Sequence, residues 1–249
     1  MPHRMLNMNE LVAYLHLPQA DVERLVRNRE IPFELRKGEP VFSRQQMDAW
    51  ASQHILNMKT DSLSRYHADA ARQLSNDFDR QALMPELLAP GRIHPDFSPR
   101  TKPSVLREMV KLAEQTGLLY DSDSLLTSLM EREALCSTAM PGGLALMHPR
   151  YHDPYLFETS FIILARAAHP IHAGAIDGQP TDLFFLVCCH DDRIHLHTLA
   201  RLCTMGHQTD MLAQLRQAPD ADAMFDIVVQ TEQRLLETIT KAQTGKNIS

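Results

Sequence analysis

Apolar positions in the first fifty residues recur at helical spacing and then switch to alternation. Leu11, Val12 and Leu15 share one face of a short helix that Asn9 is placed to cap. "HLPQ" interrupts it, and Val22, Leu25 and Val26 form the stripe of a second helix, which Pro32 closes. "FELRKGEPVF" then sets Lys37-Gly38 between two short alternating runs, the pattern of a hairpin or wing. Ser43 with Gln46 makes a capping box for another helix whose Met47 and Trp50 face inward. Residues 1–57 therefore predict a winged helix-turn-helix.

Residues 58–84 are polar and lack glycine and proline, with a narrow apolar stripe of Leu63, Tyr66, Ala70 and Leu74. They predict a linker helix able to carry a dimer contact, and a solvated spacer fits the same residues. From about Pro85 the texture changes. "SVLREMVKLAEQTGLL" and "SDSLLTSLMEREAL" predict amphipathic helices, the second capped by Asp121 or Ser122. Strand-like runs follow at Leu144 to Met147, Thr159 to Ala165 and Asp182 to Cys189, with helices from about His195 onward. This alternation predicts one α/β domain over 85–249.

Composition narrows the setting. The chain has 249 residues, 44% hydrophobic and 22% charged, which is enough for a large domain plus a small one. No apolar run is long enough to span a bilayer and "MPHRMLNMNE" has no secretory core, so a cytoplasmic protein with no membrane partner is expected. Cys136, Cys188, Cys189 and Cys203 show no zinc spacing, which predicts free thiols in a reduced compartment. A net charge of −6 argues against a protein coated by nucleic acid but leaves room for one DNA-binding module.

The candidate chemistry lies in "LMEREALCSTAMPGGLALMHPR". This segment, followed by "HPIHAGAIDGQPTDLFFLV" and "HLHTLARL", resembles the phosphorylation-site region of the fructose, mannitol and nitrogen-type enzyme IIA domains of the bacterial sugar phosphotransferase system. The resemblance implies an α/β fold with a mixed β-sheet flanked by helices, preceded here by the small winged module and the helical linker. It also implies that His148 accepts a phosphoryl group, that His195 is a second active-site histidine, and that Arg132 lies beside them. The implied partners are the histidine-containing phosphocarrier protein and a IIB protein. Near neutral pH an imidazole is largely neutral and nucleophilic, so it can take a phosphoryl group with no metal or other cofactor.

Plainer readings stand beside these. His148 fits a polar residue at a strand end, His195 a helix cap or core hydrogen bond, and Arg132 an ion pair with Glu131 or Glu133. His197, two positions from His195, points elsewhere on a helix and reads as structural. The run "CCHDDRIHLH" invites a metal, but Cys188 and Cys189 would point to opposite faces of a strand, so no metal is expected. Two departures stand out: Pro149 follows His148 where the family usually has glycine, and Pro141 stands in a turn where it tends to have glycine. Pro149 removes an N–H that a phosphate would use and biases His148 toward an extended backbone.

"VERLVRNREIP", the wing and "FSRQQMDAW" resemble the excisionase-like branch of the MerR-type winged helix-turn-helix family. That resemblance places residues 21–30 in a DNA major groove, with Gln19, Arg24, Arg27 and Asn28 as contacts and Arg36 and Lys37 near phosphates. Residues 1–57 carry seven Lys or Arg and seven Asp or Glu, so the module is formally neutral and also suits docking onto protein. A homodimer reading two half-sites would strengthen DNA binding. Three functions follow: a transcriptional regulator reporting phosphotransferase state, a plain phosphoryl carrier to a IIB protein, or a domain that only binds partners.

Overall fold

The computed structural model describes residues 5–15, 17–56, 82–151, 153, 155–190 and 192–246. The expected linker helix, with Leu63, Tyr66, Ala70 and Leu74, falls outside these residues.

The N-terminal part runs β1 (Met5–Leu6), α1 (Met8–Leu15), α2 (Gln19–Arg27), β2 (Glu34–Arg36), β3 (Glu39–Ser43) and α3 (Arg44–Leu56). Asn7, not Asn9, caps α1. Its Oδ1 accepts from the Glu10 amide at 2.9 Å, while the Glu10 carboxylate accepts from the Asn7 amide at 3.0 Å. The chain turns at Lys37 and Gly38, both at positive φ (53° and 85°), the geometry of a two-residue hairpin turn whose twist matches its strands. β3 also pairs with β1, a two-residue strand too short to leave a period. Past the end of α2, Arg29 takes φ 56°, and the Glu30 amide reaches back to the Leu25 carbonyl. That is the left-handed helix stop a glycine usually makes, so the helix ends cleanly although arginine stands there.

The larger part contains α4 (Met84–Leu87), a 3₁₀ turn at Pro90–Arg92, β4 (Ile93–Phe97), α5 (Lys102–Gln115), α6 (Ser122–Leu135), β5 (Ala139–Met140), β6 (Leu144–Met147), β7 (Phe161–Ile171), β8 (Thr181–Cys188), α7 (Asp192–Gln208), α8 (Met211–Gln217) and α9 (Ala221–Lys246). Asp121 caps α6, its carboxylate accepting from the Ser124 amide at 2.9 Å. Among the described residues the strands form one five-stranded sheet in the order β4-β7-β8-β6-β5. β4 runs parallel to β7 and β6 to β8, whereas β7–β8 and β5–β6 are antiparallel, so the sheet is mixed as expected. β4 and β5 escaped the sequence pattern because each is a short edge strand, β4 with Pro95 inside it.

Strand alternation divides the core in two. Leu144, Leu146, Ile162, Leu164, Leu183, Phe185 and Val187 point to the side of α7, α8 and α9. Ala145, Met147, Phe161, Ile163, Phe184 and Leu186 point to α5 and α6. Side chains of this size contribute about 1.5–3 kcal/mol each when fully buried. Cys188 and Cys189 fall in the two opposite clusters. Burial pushes the Cys188 and Cys203 thiols up, which keeps them in the protonated form that ligates metal poorly. The first cluster continues without a break into the N-terminal part, joining Leu11, Met47 and Ala51 to Leu196, Leu199 and Cys203 of α7. No helix among the described residues is long and apolar enough to cross a membrane.

Candidate active site

Three elements converge beyond the end of β6. The strand ends at Met147 and delivers His148 as the next residue, α6 delivers Arg132 in its last turn, and α7 delivers His195 in its first. The tight turn that feeds β6 relies on Gly142 and Gly143 at φ 86° and 81°. A Cβ on Gly143 would stand 2.6 Å from Arg216 Nη2 and 2.8 Å from Asp182 Oδ1. These two glycines take both left-handed positions, leaving Pro141 a place compatible with its locked φ.

His148 is 1% exposed. Its Nδ1 lies 2.9 Å from the Leu146 carbonyl oxygen, an acceptor only, so Nδ1 carries the proton and Nε2 carries the lone pair. Arg132 Nε donates to that Nε2 at 2.9 Å. The same guanidinium donates through Nη1 to the Cys136 carbonyl (3.1 Å) and lies 3.3 Å from Cys136 Sγ. The His195 ring stands 4.9 Å from that of His148, centroid to centroid. The structure thus brings together all three residues expected to form the site.

The electrostatics of Arg132 are unusual for a residue only 2% exposed. The ion pairs expected of it as a plain helix-end arginine are taken by others: Glu131 pairs with Arg150 at 3.3 Å and Glu133 with Lys102 at 2.6 Å. Among the described residues no carboxylate lies within ion-pair distance of Arg132, and its Nη2 has no hydrogen-bond partner. A buried guanidinium without an anion is costly unless an anion arrives. Next to a nucleophilic imidazole nitrogen, this group is suited to a phosphoryl oxygen.

Two features were not legible beforehand. Glu133 accepts from the Thr138 amide (3.1 and 3.2 Å) and hydroxyl (2.7 Å) as well as from Lys102, and so holds the "ST" turn. Charge alternation in "EREAL" was the available signal. Ser52 of α3, with Oγ 3.2 Å from His195 Nε2, had none, since 143 residues separate them. His197 is buried at 5% exposure, two positions along α7.

The six candidate DNA contacts Gln19, Arg24, Arg27, Asn28, Arg36 and Lys37 are all exposed, on α2, just past its end, or on the hairpin. Four of them meet acidic neighbours. Gln19 donates to Glu23 at 2.8 Å, Asn28 to Glu30 at 2.8 Å, Arg24 faces Asp21 and Glu30 at 3.8 and 3.7 Å, and Arg36 lies 3.3 Å from Glu34.

Residues 86–231 match the family model described as the phosphoenolpyruvate-dependent sugar phosphotransferase system, EIIA 2, which leaves the first 85 residues outside the match. A nitrogen regulatory protein of Bradyrhizobium diazoefficiens is 34% identical over 57% of this chain and 92% of its own length. The fructose-specific EIIABC component of Bacillus subtilis is 28% identical over 58% of this chain and 23% of its own. The crystal structure of nitrogen regulatory protein IIA-Ntr from Neisseria meningitidis shares the fold at TM-score 0.54 and 24% identity, covering 59% of this chain and 99% of that one. IIA mannitol from Escherichia coli shares it at TM-score 0.50 and 13% identity, covering 57% and 98%. With the mixed sheet and the matched residues together, the chain belongs to the phosphoenolpyruvate-dependent sugar phosphotransferase system EIIA 2 family.

Proposed function

We propose that His148 accepts a phosphoryl group on Nε2 from the histidine-containing phosphocarrier protein, and that this state is coupled to the N-terminal module, which acts as a DNA-binding regulator. The observation that carries the reading is the buried guanidinium of Arg132, with no carboxylate partner among the described residues, donating to the lone-pair nitrogen of His148. The tautomer held by the Leu146 carbonyl leaves Nε2 as the nucleophile. As the P–N bond on the donor histidine breaks, the bond to Nε2 forms, and the donor imidazole leaves as the neutral ring with its far nitrogen protonated. The proton on His148 Nδ1 stays shared with Leu146. Arg132 offers Nη2, which has no hydrogen-bond partner among the described residues, to the transferring oxygens, and His195 faces the same space. Such transfer is promoted by positioning and by fixed donors aimed at spreading negative charge. Pro149 takes no part in the His148 and Arg132 contacts, so they form without the N–H it lacks.

In this reading residues 1–57 form the winged DNA-binding domain, 58–84 the link and 85–249 the phosphoryl-accepting domain of a cytoplasmic protein, with a dimer expected on DNA. A second reading, a plain carrier passing phosphate to a IIB partner, is favoured by the acidic neighbours of Gln19, Arg24, Asn28 and Arg36, which oppose phosphate binding. IIA mannitol of Escherichia coli is known in a complex with phosphorylated enzyme IIB. The test is to incubate the protein with phosphoenolpyruvate, enzyme I and the phosphocarrier protein, and to follow intact mass beside a His148→Ala control. A gain of one phosphoryl group absent from the control supports acceptance. Equal binding of promoter DNA by the two states refutes the coupling.

A further inference from the structure

Ser52 belongs to the N-terminal part, yet it is 3% exposed and its hydroxyl oxygen lies 3.2 Å from His195 Nε2. α3 packs along α7, and the apolar cluster that runs through Met47 and Ala51 continues into Leu196, Leu199 and Cys203. Both active-site imidazoles are closed off from solvent, His148 at 1% exposed and His195, the one Ser52 touches, at 0%. We infer that α3 and the phosphoryl donor are alternative occupants of one docking face over His195, so that acceptance at His148 requires the module to lift, and phosphorylation in turn holds it off. This inference rests on His148 being the acceptor.

Three physical arguments support it. Transfer between two proteins needs the donor phosphorus within about 3–3.5 Å of His148 Nε2 with the reacting atoms in line. A ring closed off from solvent by its own chain does not offer that approach. The second argument is competition at one atom. An imidazole nitrogen makes one hydrogen bond in its plane, and that of His195 Nε2 is directed at Ser52. A phosphoryl oxygen that takes this nitrogen as its donor must displace the hydroxyl. Third, a phosphohistidine carries close to two negative charges, and enclosing them beneath α3 carries a desolvation cost that opening the interface relieves. Because coupling between two equilibria is reciprocal, a module that suppresses acceptance when docked is itself undocked by acceptance to the same factor. Release then frees the surface of α3 that faces α7.

The test uses the full chain with phosphoenolpyruvate, enzyme I and the phosphocarrier protein, comparing the wild type with Ser52→Arg and Ser52→Ala. Initial acceptance rates are read by intact mass, and lifting by hydrogen exchange of the α3 and α7 amides. Ser52→Arg places a long cation in a closed contact, and the rate is expected to rise by about tenfold or more as the open fraction grows. Ser52→Ala removes only the hydroxyl and serves if the larger variant fails to fold. Losing one buried hydrogen bond across the interface corresponds to about a 2- to 10-fold rise. In the wild type, phosphorylation is expected to raise α3 exchange. Acceptance at the wild-type rate by a variant whose α3 exchanges faster overturns the shared face while leaving His148 as acceptor. Unchanged α3 exchange in the phosphorylated wild type, or an unchanged rate in Ser52→Ala, overturns it likewise. No phosphoryl gain in any folded form overturns the acceptor reading itself, and the inference with it.

Discussion

Replacing Arg132 with methionine separates stability from chemistry. The guanidinium is 2% exposed and has no carboxylate partner among the described residues, so it carries the cost of a buried cation, several kcal/mol in real proteins. Against this stand its bonds to His148 Nε2 at 2.9 Å and to the Cys136 carbonyl at 3.1 Å. Bonds from a charged donor contribute about 1.5–3 kcal/mol each, or roughly 3–6 kcal/mol for the two. Methionine fills much of the same volume and removes the charge, so the terms nearly cancel. The net change in stability is expected within about 2 kcal/mol of zero, which is a shift of no more than about 8 °C in the melting temperature. Phosphoryl acceptance loses a donor aimed at developing charge, and its rate is expected to fall about 10²–10³-fold. Thermal unfolding followed by circular dichroism and a time course of intact mass measure the two quantities on the same preparation. A variant that accepts phosphate at the wild-type rate, or one that loses more than about 4 kcal/mol, would refute the reasoning, since Arg132 would then be a structural residue.

Other expectations concern the supports of the site. Gly143→Ala puts a Cβ at φ 81° against the Arg216–Asp182 pair, and combined backbone strain and overpacking should cost about 2–4 kcal/mol in urea unfolding. Glu232→Ala breaks a fully buried pair with Arg201 (2.6 Å) and deprives the Leu83 and Met84 amides of their acceptor. A loss of about 3–5 kcal/mol is expected, and a loss below about 1 kcal/mol counts against the pair as a clamp on the entry to this part of the chain. Arg29→Gly relieves a left-handed arginine at the end of α2 and should stabilise the N-terminal part by about 1 kcal/mol. Slower hydrogen exchange at the end of α2 is its local signature.

The sequence alone determined what depends on neighbouring positions. A continuous apolar run gave β6 at Leu144–Met147 to the residue, since both of its faces are buried, and the apolar stripes gave α5 and α6, because each helix buries one periodic face. Lys37-Gly38 specified a hairpin since few residue pairs tolerate positive φ at both positions. Cap choice was less legible: Asn7 and Asn9 both precede apolar positions of α1, and only the reciprocal bond with Glu10 separates them. His148, His195 and Arg132 were legible as residue types in a characteristic order, with the chemistry that the family resemblance implies, whereas their hydrogen bonds and burial were not. The tertiary structure decided that Glu131 and Glu133 turn to Arg150 and Lys102, which leaves Arg132 to His148. It decided too that α3 lies on α7 with Ser52 against His195. Those choices belong to side chains brought together from distant parts of the chain, where burial sets the value of each charge and hydrogen bond, and no local period records them.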